Sequence, residues 1–183
     1  FGQKFGWERP NFFATDGMKQ EDDWSFRRSK WFEAIKKECK NVKENVGLLD
    51  MTAFAKCRIK CPKAEEFLDK LVANKLPKKV GRINLCHALN TKGGVHSEFT
   101  IMREAEDSFY LVSAGAFQRL DHDWILKWMP SDGSVQFENL TNSTGVLVVS
   151  GPKARELMQR VSKDDFSNEN FKWLSAKNVD IGQ

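Results

Sequence analysis

The sequence lacks the features of a membrane-spanning or secreted protein. No run of apolar residues approaches the ~20 that a membrane-spanning helix needs, and the start shows no basic region, apolar region and cleavage site of a secretory signal. No CxxC motif occurs, and Cys57 and Cys61 stand about 13 Å apart along a predicted strand, too far for a disulfide or a shared metal ion. We therefore expect no membrane contact and no metal site, and we interpret the cysteines as small core residues in a reducing compartment.

Motifs that bind nucleotides and nucleic acids are also absent. The glycines at 93–94 lack the spacing of a phosphate-binding loop, and no GxGxxG follows a predicted strand. The formal net charge is +4 over 183 residues, but the lysines are scattered and do not alternate with aromatic residues as in a nucleic-acid groove. The length fits one domain, or one domain with part of a neighbour, and we expect no nucleic-acid partner.

Hydrophobic periodicity predicts alternating helices and strands. Apolar residues at helical spacing predict helices over 24–46, 62–74, 117–128 and 153–161. Alternating or continuous apolar runs predict strands over 48–51, 54–61, 82–89, 95–102, 108–113, 135–140 and 145–150. The last of these is an uninterrupted apolar run of the buried type. The order predicts an α+β (mixed α/β) fold in which helices cover one or both faces of mixed sheets.

Each of the first three helices has a predicted apolar face. The first should begin after Asp23, end at Gly47 and carry Trp31, Ile35, Cys39, Val42 and Val46 on one stripe. The second should bury Phe67, Leu68, Leu71 and Val72. The third should carry Phe117, Leu120, Trp124, Ile125 and Trp128 on one side.

The most informative segment is 81–102, in which two apolar runs are joined by a turn and the second run contains Glu98. Alternation predicts a core face of Val95, Ser97, Phe99 and Ile101 and an opposite face of His96, Glu98, Thr100 and Met102. Because burying an unpaired carboxylate costs several kcal/mol, Glu98 must face solvent, a partner or a ligand. Alternation alone favours a plain solvent face, with the wall of a polar pocket as the alternative. His87 is interpreted as a structural histidine, and a metal site with His96 and Glu98 is a weaker alternative.

Several short segments have a specific order and spacing: VGLLDMTAF at 46–54, FLDKLVAN at 67–74, Gly81 with LN at 89–90 and GGV at 93–95, Asp121 with Trp124, and GPKAR at 151–155. Together they resemble the folate-binding aminomethyltransferase family, whose best-known member is the T-protein of the glycine cleavage system. The resemblance implies that residues 46–183 form the N-terminal part of a T-protein-like folate-binding domain. It also implies that tetrahydrofolate is the cofactor.

The first ten residues, FGQKFGWERP, and the predicted helix after them resemble a narrower branch. In dimethylglycine and sarcosine dehydrogenases such a segment joins a flavin domain to the folate domain, and LCHAL at 85–89 also resembles the dimethylglycine enzymes. Residues 1–45 are therefore expected to be a linker from a preceding flavin domain. The resemblance implies a longer polypeptide with FAD bound before residue 1 and a second folate-binding carboxylate after residue 183. The expected compartment is the bacterial cytoplasm or the mitochondrial matrix.

The resemblance also implies a reaction and a set of site residues. A methylamine substrate is oxidised at the flavin, and tetrahydrofolate captures the released one-carbon unit as 5,10-methylenetetrahydrofolate. The functional carboxylate of the family falls on Glu98, and positions that line the folate rings fall on Met51, Leu85, Tyr110 and Val112. Ala114 stands where the family pattern has Asn, and Ser97 where T-proteins have a first acid.

Other functions remain open alternatives. One is a non-catalytic regulatory relative that keeps the fold as an interaction module, and another is a stand-alone transferase that works with a lipoyl carrier. For the preferred function we expect Glu98 to face a concave site, and we expect the 183-residue chain alone to bind tetrahydrofolate weakly or not at all.

Overall fold

The computed structural model describes residues 1–182, which form nine strands and four α-helices with one 3₁₀ turn. The strands are β1 Gly2–Lys4, β2 Trp7–Arg9, β3 Gly47–Asp50, β4 Ala55–Lys60, β5 Ile83–Leu89, β6 Val95–Ala105, β7 Ser108–Ser113, β8 Gln136–Asn139 and β9 Leu147–Ser150. The helices are α1 Phe32–Glu44, α2 Ala64–Leu71, α3 Gln118–Trp128 and α4 Ala154–Val161, and the 3₁₀ turn spans Gly115–Phe117.

The strands form one five-stranded sheet in the order β5-β6-β7-β4-β8 and two ribbons, β1-β2 and β3-β9. The α+β class is confirmed, with helices packed on the sheet. All strand pairings among the described residues are antiparallel, so the prediction of mixed sheets was wrong. Short turns join β5 to β6 and β6 to β7, and such turns can join only antiparallel neighbours.

One face of the five-stranded sheet carries the hydrophobic core. Inward-facing residues of its strands pack against α2 and Ile125 of α3, and they include Cys57, Ile59, Cys86, Ala88, Phe99, Ile101, Phe109 and Leu111. The predicted buried face of α2 is confirmed, since Phe67, Leu68, Leu71 and Val72 are all buried. Because burying a large aliphatic or aromatic side chain stabilises by about 1.5–3 kcal/mol, this layer dominates the stability of the fold.

The first helix is shorter than predicted. The helix α1 starts at Phe32, so residues 24–31 lie outside it, and Gly47 begins β3 rather than ending the helix. Only Ala34 of α1 is buried, while Cys39 and Val42 are exposed. Helices in proteins are stabilised mainly by packing of their apolar face, and the apolar stripe of 24–46 has little to pack against among the described residues.

The prediction of a buried strand over 145–150 was wrong, and the predicted apolar side of α3 is largely exposed. β9 pairs only with β3, and Leu147 remains 62% exposed, so the run 145–150 is not a buried strand within the described residues. In α3 only Ile125 of the predicted apolar face is buried, while Phe117, Leu120 and Trp128 are exposed. The sequence pattern identified apolar faces correctly, but it did not show which of them would be covered.

The cysteines divide into two groups. Cys57 and Cys86 are buried, and burial raises the pKa of these thiols to about 12 and about 11, so they are small un-ionised core residues as predicted. Cys39 is exposed and Cys61 is only partly buried, which contradicts the core prediction for them. All four are unpaired. No helix among residues 1–182 is long and apolar enough to span a membrane.

Candidate functional site

Alternation along β6 is confirmed from residue 97 onward. Ser97, Phe99 and Ile101 are at most 4% exposed and face the core, while Glu98 and Thr100 are exposed on the other face. The two preceding residues deviate from the prediction. Val95 is 64% exposed, and the ring of His96 stacks on Trp124 of α3 with 4.0 Å between centroids.

A β-bulge explains this deviation. Ala88 pairs with Ser97, but the next pair is Leu89 with Val95, so His96 is the extra residue of the bulge. A regular hairpin that continued the Leu89–Val95 pair would place His87 opposite Ser97. The bulge shifts the register by one residue and places His87 opposite Glu98 instead. It also turns His96 away from these two side chains, and the metal site of His87, His96 and Glu98 therefore does not form.

The face of the five-stranded sheet opposite the core is termed the open face. Strand register places its side chains in rows across β5, β6 and β7. One row is Leu85, Thr100 and Val112, a second is Ile83, Met102 and Tyr110, and a third is His87 with Glu98. Four of the predicted site residues, Leu85, Glu98, Tyr110 and Val112, thus share this face.

Met51, the fifth predicted site residue, lies outside the sheet. Its N–H donates to the carbonyl of Val146 at 2.8 Å, and its own carbonyl accepts from the N–H of Phe54 at 3.0 Å. These bonds hold it in the connection between β3 and β4. The next residue, Thr52, links this connection to β4.

That link is made by Lys56, which sequence reasoning missed. Lys56 pairs with Val112 in the sheet register, and its ammonium donates to the carbonyl of Thr52 at 2.6 Å. The residue is fully buried, and burial lowers the pKa of Lys56, with nearby Asp50 opposing the shift. The alternation of charged residues in AKCRIK was the available signal, because it places Lys56 on the face opposite Cys57 and Ile59.

The centre of the open face is apolar and accessible. Leu85 is 51% exposed, Tyr110 and Val112 are half-buried, and burial raises the pKa of the Tyr110 phenol. A planar ring system could therefore bury apolar area on these three side chains. Its polar edges would then stay within reach of the charged side chains of the open face, Glu98 and Arg58.

Glu98 stands at the β5–β6 side of this patch. Its side chain is 62% exposed, and one carboxylate oxygen, Oε2, lies 3.0 Å from Nε2 of His87, a hydrogen bond in the tautomer that carries the hydrogen on Nε2. It is neither buried nor held in a buried ion pair. The expectation that Glu98 faces a concave site is not met among residues 1–182, because its side chain is exposed and the cavity of about 520 Å³ lies between α2 and α3, on the core side, away from Glu98.

Arg58, Glu104 and Glu138 form a charged cluster on the open face, at the side of β4 and β8. The guanidinium of Arg58 binds Glu104 through both carboxylate oxygens, at 2.6 and 3.0 Å, and binds Glu138 at 3.0 Å. Such paired, charge-assisted bonds are stronger than neutral ones. The Arg58 hydrogen bonds hold the pKa of Glu104 below its usual value of 4.5.

Replacing Glu104 with glutamine is expected to lower the free energy of unfolding by about 1–2 kcal/mol at neutral pH. Because the folded-state pKa of Glu104 is lowered, its stabilisation is complete above about pH 4.5 and is lost as the pH falls through the lowered value. Urea unfolding at pH ~7 and pH ~3 should therefore give a difference between wild type and variant that shrinks in acid.

The matched control is Glu106→Gln, which removes the same charge from an exposed turn position. It should change stability little at either pH. A Glu104→Gln effect that stays constant from neutral to acid pH would show that the carboxylate is not stabilised by Arg58.

Similar proteins are known in sequence and in structure. The sequence profile of the GCVT N-terminal domain family matches residues 1–183. Mitochondrial dimethylglycine dehydrogenase of Mus musculus is 36% identical over 177 residues, which cover 96% of this chain and 20% of that protein. The mitochondrial pyruvate dehydrogenase phosphatase regulatory subunit of Mus musculus is 30% identical over 185 residues, which cover 98% of this chain and 21% of that protein.

A third relative is 4-methylaminobutanoate oxidase (formaldehyde-forming) of Paenarthrobacter nicotinovorans, 28% identical over 181 residues, which cover 99% of this chain and 22% of that protein. The chain spans about a fifth of the length of these curated relatives.

Two solved structures have a similar fold. The aminomethyltransferase T of the glycine cleavage system from Bartonella henselae matches with a TM-score of 0.63 at 24% identity, over 68% of this chain and 34% of that chain. Heterotetrameric sarcosine oxidase from Corynebacterium sp. U-96 matches with a TM-score of 0.60 at 15% identity, over 86% of this chain and 77% of that chain. At these identities the two matches bear on the fold alone, which is that of the T-protein aminomethyltransferases.

Proposed function

The chain belongs to the GCVT N-terminal domain family, and we propose that its open face binds tetrahydrofolate within an enzyme that demethylates an N-methyl amine. Bound tetrahydrofolate would capture the released one-carbon unit as 5,10-methylenetetrahydrofolate. The observation that carries this proposal is the placement of Leu85, Tyr110 and Val112 beside Glu98 on one accessible sheet face.

The side chains of this face fit the chemistry of a reduced folate. Leu85, Tyr110 and Val112 offer an apolar surface for flat rings, and Glu98 offers a carboxylate at the edge of that surface. An anionic carboxylate can accept a proton from a folate nitrogen, or stabilise positive charge that develops as carbon is transferred. Neither role needs a metal ion.

The wider enzyme is part of the proposal. We assign residues 1–45 as a linker from a flavin domain of the same polypeptide and residues 46–183 as the N-terminal part of the folate-binding domain. The mitochondrial dimethylglycine dehydrogenase supports this assignment, because the similarity extends over 96% of the chain. FAD and the methylamine substrate would bind outside these residues, in a mitochondrial matrix or bacterial cytoplasmic protein.

Replacing Leu85 with alanine is expected to weaken tetrahydrofolate binding about tenfold, because removing a leucine side chain that a ligand covers costs about 1–2 kcal/mol. Isothermal titration calorimetry on the protein expressed from its complete reading frame measures the affinity. The matched control is Leu147→Ala, since Leu147 is 62% exposed on β9 and lies outside the open face. Equal affinities for wild type and Leu85→Ala would contradict the proposed binding face.

A second candidate function is a regulatory module without catalysis. Its support is the 30% identity to the pyruvate dehydrogenase phosphatase regulatory subunit over 98% of the chain. A protein of this kind would form no 5,10-methylenetetrahydrofolate from any methylamine. Product analysis with dimethylglycine, sarcosine or 4-methylaminobutanoate in the presence of tetrahydrofolate therefore separates the two functions.

A further inference from the structure

His87 lies on β5, the edge strand of the five-stranded sheet, and the segment after α2 bonds to its backbone on the outer side. The N–H of Ala73 donates to the carbonyl of His87 at 2.9 Å. In turn, the N–H of His87 donates to the side-chain oxygen Oδ1 of Asn74 at 2.7 Å. The Ala73–Asn74 segment thus makes the two hydrogen bonds to the backbone of His87 that a neighbouring strand would have made on this side.

These bonds fix the orientation of the Asn74 amide. A backbone N–H needs an acceptor, so the oxygen of Asn74, and not its nitrogen, must face His87. The same oxygen lies 3.3 Å from Nδ1 of the His87 ring. This longer contact is a hydrogen bond only in the tautomer that carries the hydrogen on Nδ1, whereas the bond from the backbone N–H of His87 forms in either tautomer.

The other ring nitrogen, Nε2, lies 3.0 Å from Oε2 of Glu98. A carboxylate oxygen is also an acceptor, whereas a neutral imidazole carries only one hydrogen. A neutral ring therefore makes only one of the two contacts a hydrogen bond, and the shorter one, to Glu98, assigns the hydrogen to Nε2. Oε1, the second oxygen of Glu98, has no hydrogen-bond partner among residues 1–182.

We propose that His87, held by Asn74, is the positioning residue that orients Glu98 toward bound tetrahydrofolate. This inference rests on the proposed function. One oxygen of Glu98 contacts His87, and the other has no hydrogen-bond partner among residues 1–182. A glutamate side chain that is 62% exposed would otherwise sample several rotamers. His87 restricts it to one of them before the ligand binds.

The test uses the protein expressed from its complete reading frame, with dimethylglycine or sarcosine as the amine. Initial rates of 5,10-methylenetetrahydrofolate formation are measured over a range of tetrahydrofolate concentrations for His87→Gln, Asn74→Ala and Asn74→Asp. We expect His87→Gln and Asn74→Ala to lower kcat for capture by about 10- to 100-fold with a much smaller change in KM. Asn74→Asp keeps the acceptor oxygen and should restore most of the rate.

The matched control is Asn84→Ala. Asn84 donates to the carbonyl of Lys75 at 2.8 Å, so this variant removes a bond between β5 and the same segment without touching His87. Its capture rate should equal that of wild type. Equal losses in Asn84→Ala and Asn74→Ala, or no rescue by Asn74→Asp, would reduce His87 to a structural part of the sheet edge and overturn the inference.

Glu98→Gln distinguishes this failure from a failure of the proposed function. If Glu98→Gln abolishes capture while the His87 and Asn74 variants keep the wild-type rate, only the positioning role is wrong. If wild type forms no 5,10-methylenetetrahydrofolate, or if Glu98→Gln captures as fast as wild type, the proposed function fails and the positioning role fails with it.

Discussion

Replacing Glu98 with glutamine is expected to lower the rate of tetrahydrofolate-dependent capture about 10²- to 10⁴-fold, the range typical for loss of a group that handles a proton. Glutamine keeps the size of the side chain but removes its charge and its basicity. Oxidation of the amine is assigned to a flavin domain outside residues 1–183 and should continue at nearly the wild-type rate. The uncaptured carbon should then appear as formaldehyde.

The experiment measures flavin reduction, formaldehyde and 5,10-methylenetetrahydrofolate in parallel on wild type and variant. Glu106→Gln is the control, because it makes the same change at an exposed turn position at the end of β6. A parallel loss of flavin reduction and capture in Glu98→Gln would point to a folding or interface role. Unchanged capture would remove Glu98 from the proposed site.

Replacing Gly115 with alanine is expected to destabilise the fold by about 2–4 kcal/mol. A Cβ atom built at Gly115 would lie 1.8 Å from the carbonyl oxygen of Ala53, so the backbone of one segment would have to move. Gly115 begins the 3₁₀ turn before α3, and Ala53 follows the Met51–Thr52 connection. The close packing of Gly115 against Ala53 therefore holds the connection between β3 and β4 against the end of β7.

Urea denaturation of wild type and Gly115→Ala measures the loss. Gly145→Ala is the matched control, since its Cβ would meet only Oγ1 of Thr52, at an ordinary contact distance of 3.6 Å. The control should lie within about 1 kcal/mol of wild type. Equal stability of the two variants would show that the chain relaxes around Gly115 at little cost.

The parts of the fold that were predicted well are those whose partners are close in sequence. The helix α2 and the hairpin β5-β6 bury one face each against the same core, so local periodicity was sufficient to find them. For α1 and β9 the periodicity was real, but most of their apolar side chains remain exposed among residues 1–182. Periodicity identifies an apolar face and carries no information about what covers it.

The candidate site was predictable in part for a similar reason. Alternation assigned Glu98 to the correct face, and the family resemblance selected Leu85, Tyr110 and Val112, which share that face. The pairing of His87 with Glu98 depends on a one-residue bulge at His96, which the sequence pattern did not reveal. The placement of Lys56 could be read from alternation along β4, but its bond to the carbonyl of Thr52, four residues earlier, depends on the turn at 51–54, which the sequence pattern did not show.

The central claim is that the open face binds tetrahydrofolate beside Glu98. A crystal or cryo-EM structure of the protein, expressed from its complete reading frame and saturated with tetrahydrofolate, tests it most directly. We expect the folate rings to cover Leu85, Tyr110 and Val112, with an oxygen of Glu98 within hydrogen-bond distance of a folate nitrogen. Folate bound elsewhere, or a Glu98 carboxylate turned away from it, would contradict the claim.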